Sequence, residues 1–342
     1  MRRARSKRAR RFDMITDMKV YLVRRAFFTF RGEKSYELDL AGMNCLERMR
    51  SNLGAEILDG APPPGEKLVL YPVFPFLTGE QLARFVAEQA GSLRFRGGFL
   101  ERGGAFREGS DPADGLFALS DYPALRERAY RESALFHAAR GALVEEGAQV
   151  DRTVSLGRGA IVRRGCVVRG ASVIGEDAIL SGDSYVEDSA VGAGTRVDSS
   201  RLVGARVGKR CSVGPYASLR PASVVGDEVR IGAFVECKNA RVGDGCKIAH
   251  LAYVGDADLS ERVNVGCGVV FVNYDGKRKS RTRVGKGAFL GSNCNLVAPL
   301  RVGDGCFVAA GTTLTRDLAD GDFCIGRSRE TIKRGGAQKY LN

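Results

Sequence analysis

Residues 156–186 read LGRGAI-VRRGCV-VRGASV-IGEDAI-LSGDSY-V, and every sixth residue of this stretch is aliphatic. The same spacing returns over residues 207–231 and 284–314. A period of six matches neither the 3.6-residue period of a helix nor the two-residue alternation of a half-buried strand. It is typical of a hexapeptide β-helix, in which three short strands form one triangular coil and the aliphatic side chains point inward. The pattern predicts a parallel β-helix of about ten coils over residues 149–327.

The composition fits a water-soluble protein of one to three domains. Of the 342 residues, 44% are hydrophobic, and no apolar run approaches the roughly 18 residues that a membrane span needs. The start of the chain has no apolar stretch behind its charges, so it does not read as a secretory signal. Nine Cys occur without a CxxC pair. We therefore expect a cytoplasmic protein with reduced thiols, in which buried Cys act as small hydrophobic residues.

A basic arm opens the chain and carries much of the net charge of +13. Its cations are Arg2, Arg3, Arg5, Lys7, Arg8, Arg10 and Arg11. Such an arm could bind nucleic acid or an acidic membrane. The alternatives are a solvated tail or a translation start placed too early, since Met14 and Met18 both precede the first strand-like run. We expect no specific nucleic-acid partner and no membrane partner.

The chain divides into five predicted segments. They are the basic arm (1–17), a small α/β domain (18–110), a helical linker (111–148), a left-handed β-helix domain (149–327) and a C-terminal tail (328–342). The fold class is therefore mainly β, with a β-helix preceded by a small α/β domain and a linker helix.

Strand-like and helical runs alternate within the predicted α/β domain. Residues 20–23 and 68–78 read as strands, whereas 43–53 and the run from Gly79 read as helices. Residues 91–118, rich in Gly, Arg and Asp, predict a loop. The linker helix begins near Ser120, with Pro123 in its first turn. It carries Leu125, Ala129, Phe136 and Leu143 on one side.

Eight stretches of the second half share an order and spacing that a generic hexapeptide repeat does not have. They are VGPYASLRP (213–221), GAFVECK (232–238), HLAYVGD (250–256), VNVG (263–266), NYDG (273–276), GS (291–292), VAP (297–299) and AAGTT (309–313). Together they resemble the acetyltransferase domain of the bifunctional N-acetylglucosamine-1-phosphate uridyltransferase / glucosamine-1-phosphate acetyltransferase. The resemblance covers more than a third of the chain.

That family also has an N-terminal nucleotidyltransferase domain, which opens with a Leu-x-x-Gly-x-Gly-Thr-x-Met loop that cradles nucleotide phosphates. The present sequence has no such loop. Residues 70–78 resemble a strand of that domain, but Pro72 and Val73 replace a Gly and a magnesium-binding Asp. The resemblance implies a shortened, degenerate N-terminal domain that has lost uridyl transfer.

Acetyl transfer to an amine requires a group that accepts the amine proton, and histidine commonly serves near neutral pH. The sequence has two His. His250 falls within the matching stretches and is the expected general base, whereas His137 reads as a helix-face residue. Glu236 is a weaker candidate for orienting the imidazole.

The remaining site residues are implied by the resemblance alone. The amino sugar phosphate would be bound by Arg220, Lys238, Tyr253, Asn264 and Lys279. Acetyl-CoA, the co-substrate, would be bound by Cys267, Asn273, Tyr274, Ser292, Ala310 and Arg327. Cys267 stands where the family usually has Ala, and its thiol could form a mixed disulfide with CoA on oxidation. No metal is expected for acetyl transfer.

The hexad pattern breaks over residues 273–283, where a basic loop must leave the wall of the solenoid. In the family such a loop helps to build a site shared with a neighbouring subunit. We expect it to have little to bind on its own subunit, and we therefore expect a homotrimer.

The resemblance favours an acetyl-CoA-dependent glucosamine-1-phosphate N-acetyltransferase in the biosynthesis of UDP-N-acetylglucosamine and peptidoglycan. Two alternatives stay open. The acceptor could be another amino sugar phosphate or a nucleotide sugar, because a fold does not fix a substrate. The chain could also be a non-catalytic regulatory or scaffold homologue.

Overall fold

The computed structural model describes residues 19–31, 33–59, 61–64, 67–89, 92–102, 105–339 and 341. The predicted basic arm lies outside the described residues. The chain forms two compact units. One contains the residues up to Leu135 together with Asp151–Thr153, and the other contains Phe136–Val150 and the residues from Val154 onward.

The first unit is built on a six-stranded sheet. In spatial order its strands are Glu56–Leu58, Lys19–Val23, Lys67–Leu70, Gly98–Glu101, Leu93–Phe95 and Arg107–Glu108. The first three strands are parallel, and Gly98–Glu101 runs antiparallel to both of its neighbours. A separate hairpin joins Thr29–Phe30 to Glu33–Lys34 and leads into a 3₁₀ turn at Ser35–Glu37. The sheet is thus of the mixed α/β type that the alternating runs predict.

Two capped helices cover this sheet with apolar faces. Helix α1, Cys45–Leu53, begins at Asn44, whose side chain accepts from the Glu47 N–H while the Glu47 carboxylate accepts from the Asn44 N–H. Helix α2, Gly79–Ala87, begins at Thr78 with the same reciprocal bonds to Gln81. Their buried residues join a core that includes Leu22, Leu68, Leu70, Val73 and Phe74, all fully buried.

The loop predicted over residues 91–118 is wrong, because three strands of the sheet lie within it. The glycines that suggested a loop serve close packing instead. A Cβ on Gly97 would lie 2.1 Å from the Phe74 ring, and one on Gly98 would lie 2.1 Å from the Val69 carbonyl oxygen. A strand that must approach its neighbours this closely needs glycine, so its composition resembles that of a turn.

Helix α3, Tyr122–Ala138, follows a 3₁₀ turn at Leu119–Asp121. The Asp121 carboxylate accepts the N–H groups of residues 117 and 118 and so starts the helix. The helix ends at Ala138, near the left-handed Gly141. Leu143 was expected on this helix but instead begins the first strand of the β-helix, where it is exposed. His137 is buried.

The second unit consists of three parallel sheets of 11, 10 and 9 strands through which the chain passes in rotation. The first sheet contains Leu143–Val144, Ile161–Val162, Ile179–Ser181, Arg196–Asp198, Ser212–Val213, Arg230–Ala233, Lys247–His250, Asn264–Val265, Phe289–Leu290, Phe307–Val308 and Phe323–Cys324. The second contains Gln149–Val150, Val167–Arg169, Tyr185–Glu187, Arg201–Val203, Ser218–Leu219, Glu236–Lys238, Tyr253–Gly255, Val270–Val272, Asn295–Val297 and Thr313–Leu314. The third contains Ser155–Leu156, Val173–Ile174, Ala190–Val191, Arg206–Val207, Val224–Val225, Arg241–Val242, Ala257–Leu259, Thr282–Val284 and Leu300–Val302. A 3₁₀ turn at Gly336–Lys339 follows in the tail.

The aliphatic residues of the hexad pattern line the interior of this unit. Every one of them over 156–186, 207–231 and 284–314 is buried and belongs to one continuous core. The predicted fold class, a left-handed parallel β-helix of hexapeptide repeats preceded by a small α/β domain and a helix, is confirmed. All nine Cys are free, and Cys267 is exposed.

Left-handed residues form many of the corners between the sheets, and glycine supplies only part of them. Non-glycine examples are Asp177, Asp188, Arg210, Glu228 and Arg262, with φ between 46° and 58°. Asp and Asn tolerate this region better than most residues because their short polar side chains bond locally. The corners therefore place polar and charged side chains along the β-helix, among them long ones such as Arg210 and Glu228.

Candidate active site

His250 lies at the first corner, which we define as the turn from the first sheet into the second. It is the last residue of the strand Lys247–His250 and is exposed. Backbone hydrogen bonds of 2.7–2.9 Å link this corner from coil to coil. Equivalent positions of four successive coils are occupied by His250, Cys267, Ser292 and Ala310. At about 4.8 Å per coil this first-corner column is about 14 Å long.

Arg327 lies at the far end of the first-corner column. Its Nη1 donates to the Ala310 carbonyl oxygen at 2.8 Å. The structure thus brings together His250 and four of the residues predicted to bind acetyl-CoA. Cys267, Ser292 and Ala310 have small side chains, whereas His250 and Arg327 at the two ends are larger. All five are exposed. The column therefore forms an open track along the axis of the β-helix.

Three predicted substrate-binding cations lie near one another where the second sheet meets the second corner, the turn from the second sheet into the third, and we call Arg220, Lys238 and Lys279 the cationic cluster. The positive charges of Lys279 and Arg220 lower the pKa of Lys238, so the three cations lie near one another. Arg220 Nη1 donates to Glu236 Oε1 at 2.8 Å, and this bond raises the pKa of Arg220. Glu236 therefore binds Arg220 through one of its two carboxylate oxygens, and its role toward the His250 imidazole stays a prediction.

Tyr253 lies beside the cationic cluster. It is in register with Glu236 of the preceding coil, and after Glu236 it contributes to the raised pKa of Arg220. The Tyr253 side chain is half-buried. Tyr253 thus joins Arg220, Lys238 and Lys279 on one face.

The basic loop leaves the wall at the second corner, the turn from the second sheet into the third. It starts at Asn273 and ends at Arg281, since the strand Thr282–Val284 already belongs to the third sheet. The predicted end at Arg283 is therefore two residues too late. Tyr274 and Lys279 form an antiparallel bridge across the loop, and the Tyr274 hydroxyl donates to the Gly276 carbonyl oxygen at 2.7 Å.

The expectation that this loop has little to bind on its own subunit is wrong. Arg281 donates from Nε and Nη2 to the two carboxylate oxygens of Asp258 at 2.7 and 2.6 Å. It also donates to the carbonyl oxygens of residues 239 and 257, both at 3.1 Å. The end of the loop is therefore fixed to the wall by a paired ionic fork.

Asp256 fixes the start of the loop in a similar way. Its two oxygens accept the side-chain amides of Asn239 and Asn273. Burial opposes ionisation of Asp256, but these two amides and the charges of Lys279 and Arg281 outweigh it, so that its pKa lies below the usual range. The carboxylate therefore stays ionised and holds Asn273 in place.

The structure divides both predicted binding sets between different parts of one chain. Asn273 and Tyr274 lie at the second corner, whereas Cys267, Ser292 and Ala310 lie at the first. Asn264, predicted to bind the sugar, is on the first sheet and not with the cationic cluster on the second. Each set is therefore incomplete at any single corner.

Sequence reasoning missed the anchoring residues Asn239, Asp256, Asp258 and Arg281. Asp256 belongs to the stretch HLAYVGD, but nothing in the sequence distinguishes it from other polar corner residues. It also missed an exposed stack of Phe289, Phe307 and Phe323 on the first sheet, with ring centroids 4.7 and 5.6 Å apart. The stack continues in register above Asn264.

Comparison with known proteins points to the same part of the chain. A family model described as the hexapeptide repeat of succinyl-transferase matches residues 281–316. The bifunctional protein GlmU of Clostridioides difficile is 42% identical over 163 residues, which are 48% of this chain and 36% of that protein. The GlmU of Gloeobacter violaceus is 52% identical over 117 residues, which are 34% of this chain and 26% of that protein.

The C-terminal part of this chain resembles GlmU. The resemblance drawn from the motifs is thereby confirmed. The match spans about a third or less of the length of these GlmU proteins. A solved UDP-N-acetylglucosamine acyltransferase from Campylobacter jejuni is 17% identical, with a TM-score of 0.31, over 59% of this chain and 77% of that one.

Within the described residues, no three His, Cys, Asp or Glu side chains are grouped so as to hold a metal ion. No helix in the same part of the chain has the length and hydropathy needed to cross a bilayer.

Proposed function

We propose that this protein is an acetyl-CoA-dependent N-acetyltransferase that converts glucosamine 1-phosphate to N-acetylglucosamine 1-phosphate. The observation that carries the proposal is the cationic cluster of Arg220, Lys238 and Lys279, which belongs to the coils on either side of the one that carries His250 and Tyr253. Because the ammonium groups of two lysines are crowded together, a bound anion would relieve their repulsion. A sugar phosphate supplies such an anion, with oxygens that suit the planar fork of arginine.

His250 would act as the general base. The amine nitrogen of the acceptor attacks the thioester carbonyl carbon, the C–S bond breaks, and CoA leaves as a thiolate that takes up a proton. His250 takes the proton that the amine loses as the C–N bond forms. Because the thioester is already activated, no covalent acyl-enzyme is required. The exposure of His250 at a corner leaves it accessible to both substrates.

Acetyl-CoA would lie along the first-corner column. An extended ligand parallel to the β-helix axis would pass Ala310, Ser292 and Cys267 before its thioester reaches His250, and Arg327 would meet its phosphates. Since small side chains line this track, a long pantetheine arm has room along it. The co-substrate and the general base would then meet at one end of the column.

A homotrimer would explain why the predicted sets are divided between two corners. In a closed three-fold ring, the second corner of one subunit can face the first corner of the next. Asn273 and Tyr274 of one subunit would then complete the acetyl-CoA site of its neighbour. Anchoring of the loop by Asp256 and Asp258 would hold it ready for that contact.

The first unit would be a degenerate relic without uridyl transfer, the enzyme being a cytoplasmic one of UDP-N-acetylglucosamine biosynthesis. Val73, which stands where the resembling strand has a magnesium-binding Asp, is fully buried in the core. A valine offers no oxygen to a hard cation. Another enzyme would then have to supply the uridyl group.

The test uses purified full-length protein with acetyl-CoA and separate acceptors, with release of CoA thiol followed over time. Glucosamine 1-phosphate should be acetylated, whereas glucosamine 6-phosphate and a UDP-linked amino sugar should react at least tenfold more slowly. A preference for either of the latter would make the acceptor assignment wrong, and no turnover at all would favour a regulatory homologue. Pyrophosphate release from UTP with N-acetylglucosamine 1-phosphate and excess magnesium would overturn the loss of uridyl transfer.

A further inference from the structure

Gly255 interrupts a column of side chains on the second sheet. This column is formed by the residue that follows the inward aliphatic in each coil, near the second corner. From coil to coil its members are Arg169, Glu187, Val203, Arg220, Lys238, Gly255, Val272 and Val297. Gly255 pairs directly with Lys238 of the cationic cluster and leaves a gap one coil above it.

The backbone of Gly255 does not demand glycine. Its φ lies outside the left-handed region, and it sits in the regular strand Tyr253–Gly255. What excludes a side chain is the Tyr253 ring. A Cβ on Gly255 would lie 2.4 Å from the Tyr253 hydroxyl oxygen, 2.5 Å from Cζ and 2.6 Å from Cε1.

The Tyr253 side chain therefore lies along its own strand and fills the gap that Gly255 leaves in the column. Residues two apart in a strand project from the same face, so the ring can lean from its own column into the next. This places the hydroxyl in the column of Arg220 and Lys238. With any other residue at position 255 the hydroxyl would be pushed out of that column.

We propose that Gly255 is a positioning residue that determines acceptor binding by directing the Tyr253 hydroxyl toward the cationic cluster. The proposal rests on the proposed function, since it assumes that this cluster binds the acceptor. The three nearest contacts of the added Cβ are with the outer end of a flexible side chain. Adding a methyl group should therefore move the ring and leave the backbone of the β-helix in place.

The kinetic test compares full-length Gly255→Ala with the wild type. Loss of one hydroxyl contact to the acceptor should raise the KM for glucosamine 1-phosphate by about 3- to 10-fold. The KM for acetyl-CoA and kcat should change by less than about twofold, because the first-corner column is untouched. Gly79→Ala is the control, since its Cβ would meet nothing within 4 Å. An unchanged acceptor KM in Gly255→Ala would overturn the proposal.

A double variant separates positioning of Tyr253 from a direct role of Gly255. Tyr253→Phe removes the hydroxyl, so Gly255→Ala should add no further increase in acceptor KM to that variant. Additive effects would overturn the proposal. Should Gly255→Ala fail to fold, Tyr253→Ala together with Gly255→Ala should restore folding, because the clashing ring is gone. A double variant that also fails to fold would show that the ring is not the obstacle.

A further measurement does not depend on the acceptor. Hydroxyl-radical labelling read by mass spectrometry reports the exposure of Tyr253, which should rise in Gly255→Ala and stay constant in Gly79→Ala. If the wild type does not acetylate glucosamine 1-phosphate but labelling of Tyr253 rises, the proposed function is wrong and the positioning role is supported. If labelling does not change in the folded variant, the positioning role is wrong whatever the acceptor.

Discussion

Arg281→Met should release the loop of residues 273–281 from the wall of the β-helix. Arg281 forms two bonds to Asp258 and two to backbone carbonyl groups. Hydrogen bonds to a charged partner contribute about 1.5–3 kcal/mol when well shielded. Since 31% of the Arg281 side chain and 32% of that of Asp258 are exposed, competition from water lowers the net contribution of these bonds. We therefore assign about 1–2 kcal/mol to the free energy by which Arg281 holds the loop against the wall.

Limited proteolysis measures the opening of the loop. The loop carries Lys277, Arg278 and Lys279 in succession, so trypsin cleaves it once it leaves the wall. When opening is fast relative to cleavage, the rate follows the population of the open form. A loss of 1–2 kcal/mol raises that population by about 5- to 30-fold. Cleavage at these residues, quantified by mass spectrometry, should accelerate by the same factor in Arg281→Met.

Two matched variants separate the paired fork from charge alone. Arg283→Met removes the same charge two residues away. Arg283 lies opposite Asp258 on the neighbouring strand but acts on that carboxylate through its charge alone, without the paired hydrogen bonds of Arg281, so cleavage should stay near the wild-type rate. Arg281→Lys keeps the charge and loses the planar fork, and it should give an intermediate rate. Equal acceleration in Arg281→Met and Arg283→Met would refute the anchoring role. Acetyl transfer should change less than cleavage, because KM scales with the closed fraction, which stays dominant.

His250→Ala should lower kcat by about 10²- to 10⁴-fold. The unfolding temperature should not change, because the side chain is exposed. Near-full turnover of the variant would show that another group takes the proton. Asp256→Asn should be less stable than the wild type at pH 7. A carboxylate whose pKa falls on folding stabilises the fold above its unfolded pKa of about 3.9, so this difference should shrink in thermal melts as the pH falls below about 4. Deleting residues 1–13 should leave acetyl transfer and the sedimentation coefficient expected for a trimer unchanged. The deletion should abolish a weak, salt-sensitive binding of the full chain to DNA. A tight complex of the full chain with DNA at physiological salt would contradict this expectation.

The fold could be predicted from the sequence because each coil repeats one requirement, an aliphatic side chain facing the interior. The rhythm fails between Val186 and Val207, where the buried residues Val191, Val197 and Leu202 follow at steps of five and six. Some sides of the triangular coil are one residue shorter there. The shorter sides shift the position of the next inward residue in the sequence but leave the stacking of successive coils unchanged. A strict period of six detects the intact sides and misses the shortened ones.

The first unit was harder to predict because its glycines have a different purpose from those of the β-helix. In the β-helix, Gly165 and Gly287 serve corners with positive φ. In the first unit, Gly97 and Gly98 allow strands to approach Phe74 and Val69. Composition cannot separate these two uses, since both deplete a segment of large side chains. The glycine-rich sequence near residue 95 therefore predicts a loop where the structure has strands.

Motifs in the sequence predict the candidate site residues but not the residues that hold the neighbouring loop in place. Charged residues that would contact a ligand recur in recognisable stretches, so the motifs alone predict Arg220, Lys238 and His250 as site residues. Asp256 and Asp258 act through other side chains, and their partners lie 17 and 23 residues away in sequence. Only the stacking of successive coils brings such partners together. A linear pattern shows which residues are charged and leaves their pairing to the fold.

The distribution of charge on the second sheet argues for a ligand. The carboxylates nearest the cationic cluster are already engaged, Glu236 with Arg220 and Asp256 with two side-chain amides. Lys238 and Lys279 are left close together, and their repulsion lowers the pKa of Lys238. An anion bound between the two ammonium groups would relieve this repulsion. Binding of a phosphate dianion should therefore raise the pKa of Lys238, which NMR of labelled lysine would detect, and an unchanged pKa with saturating glucosamine 1-phosphate would place the acceptor elsewhere.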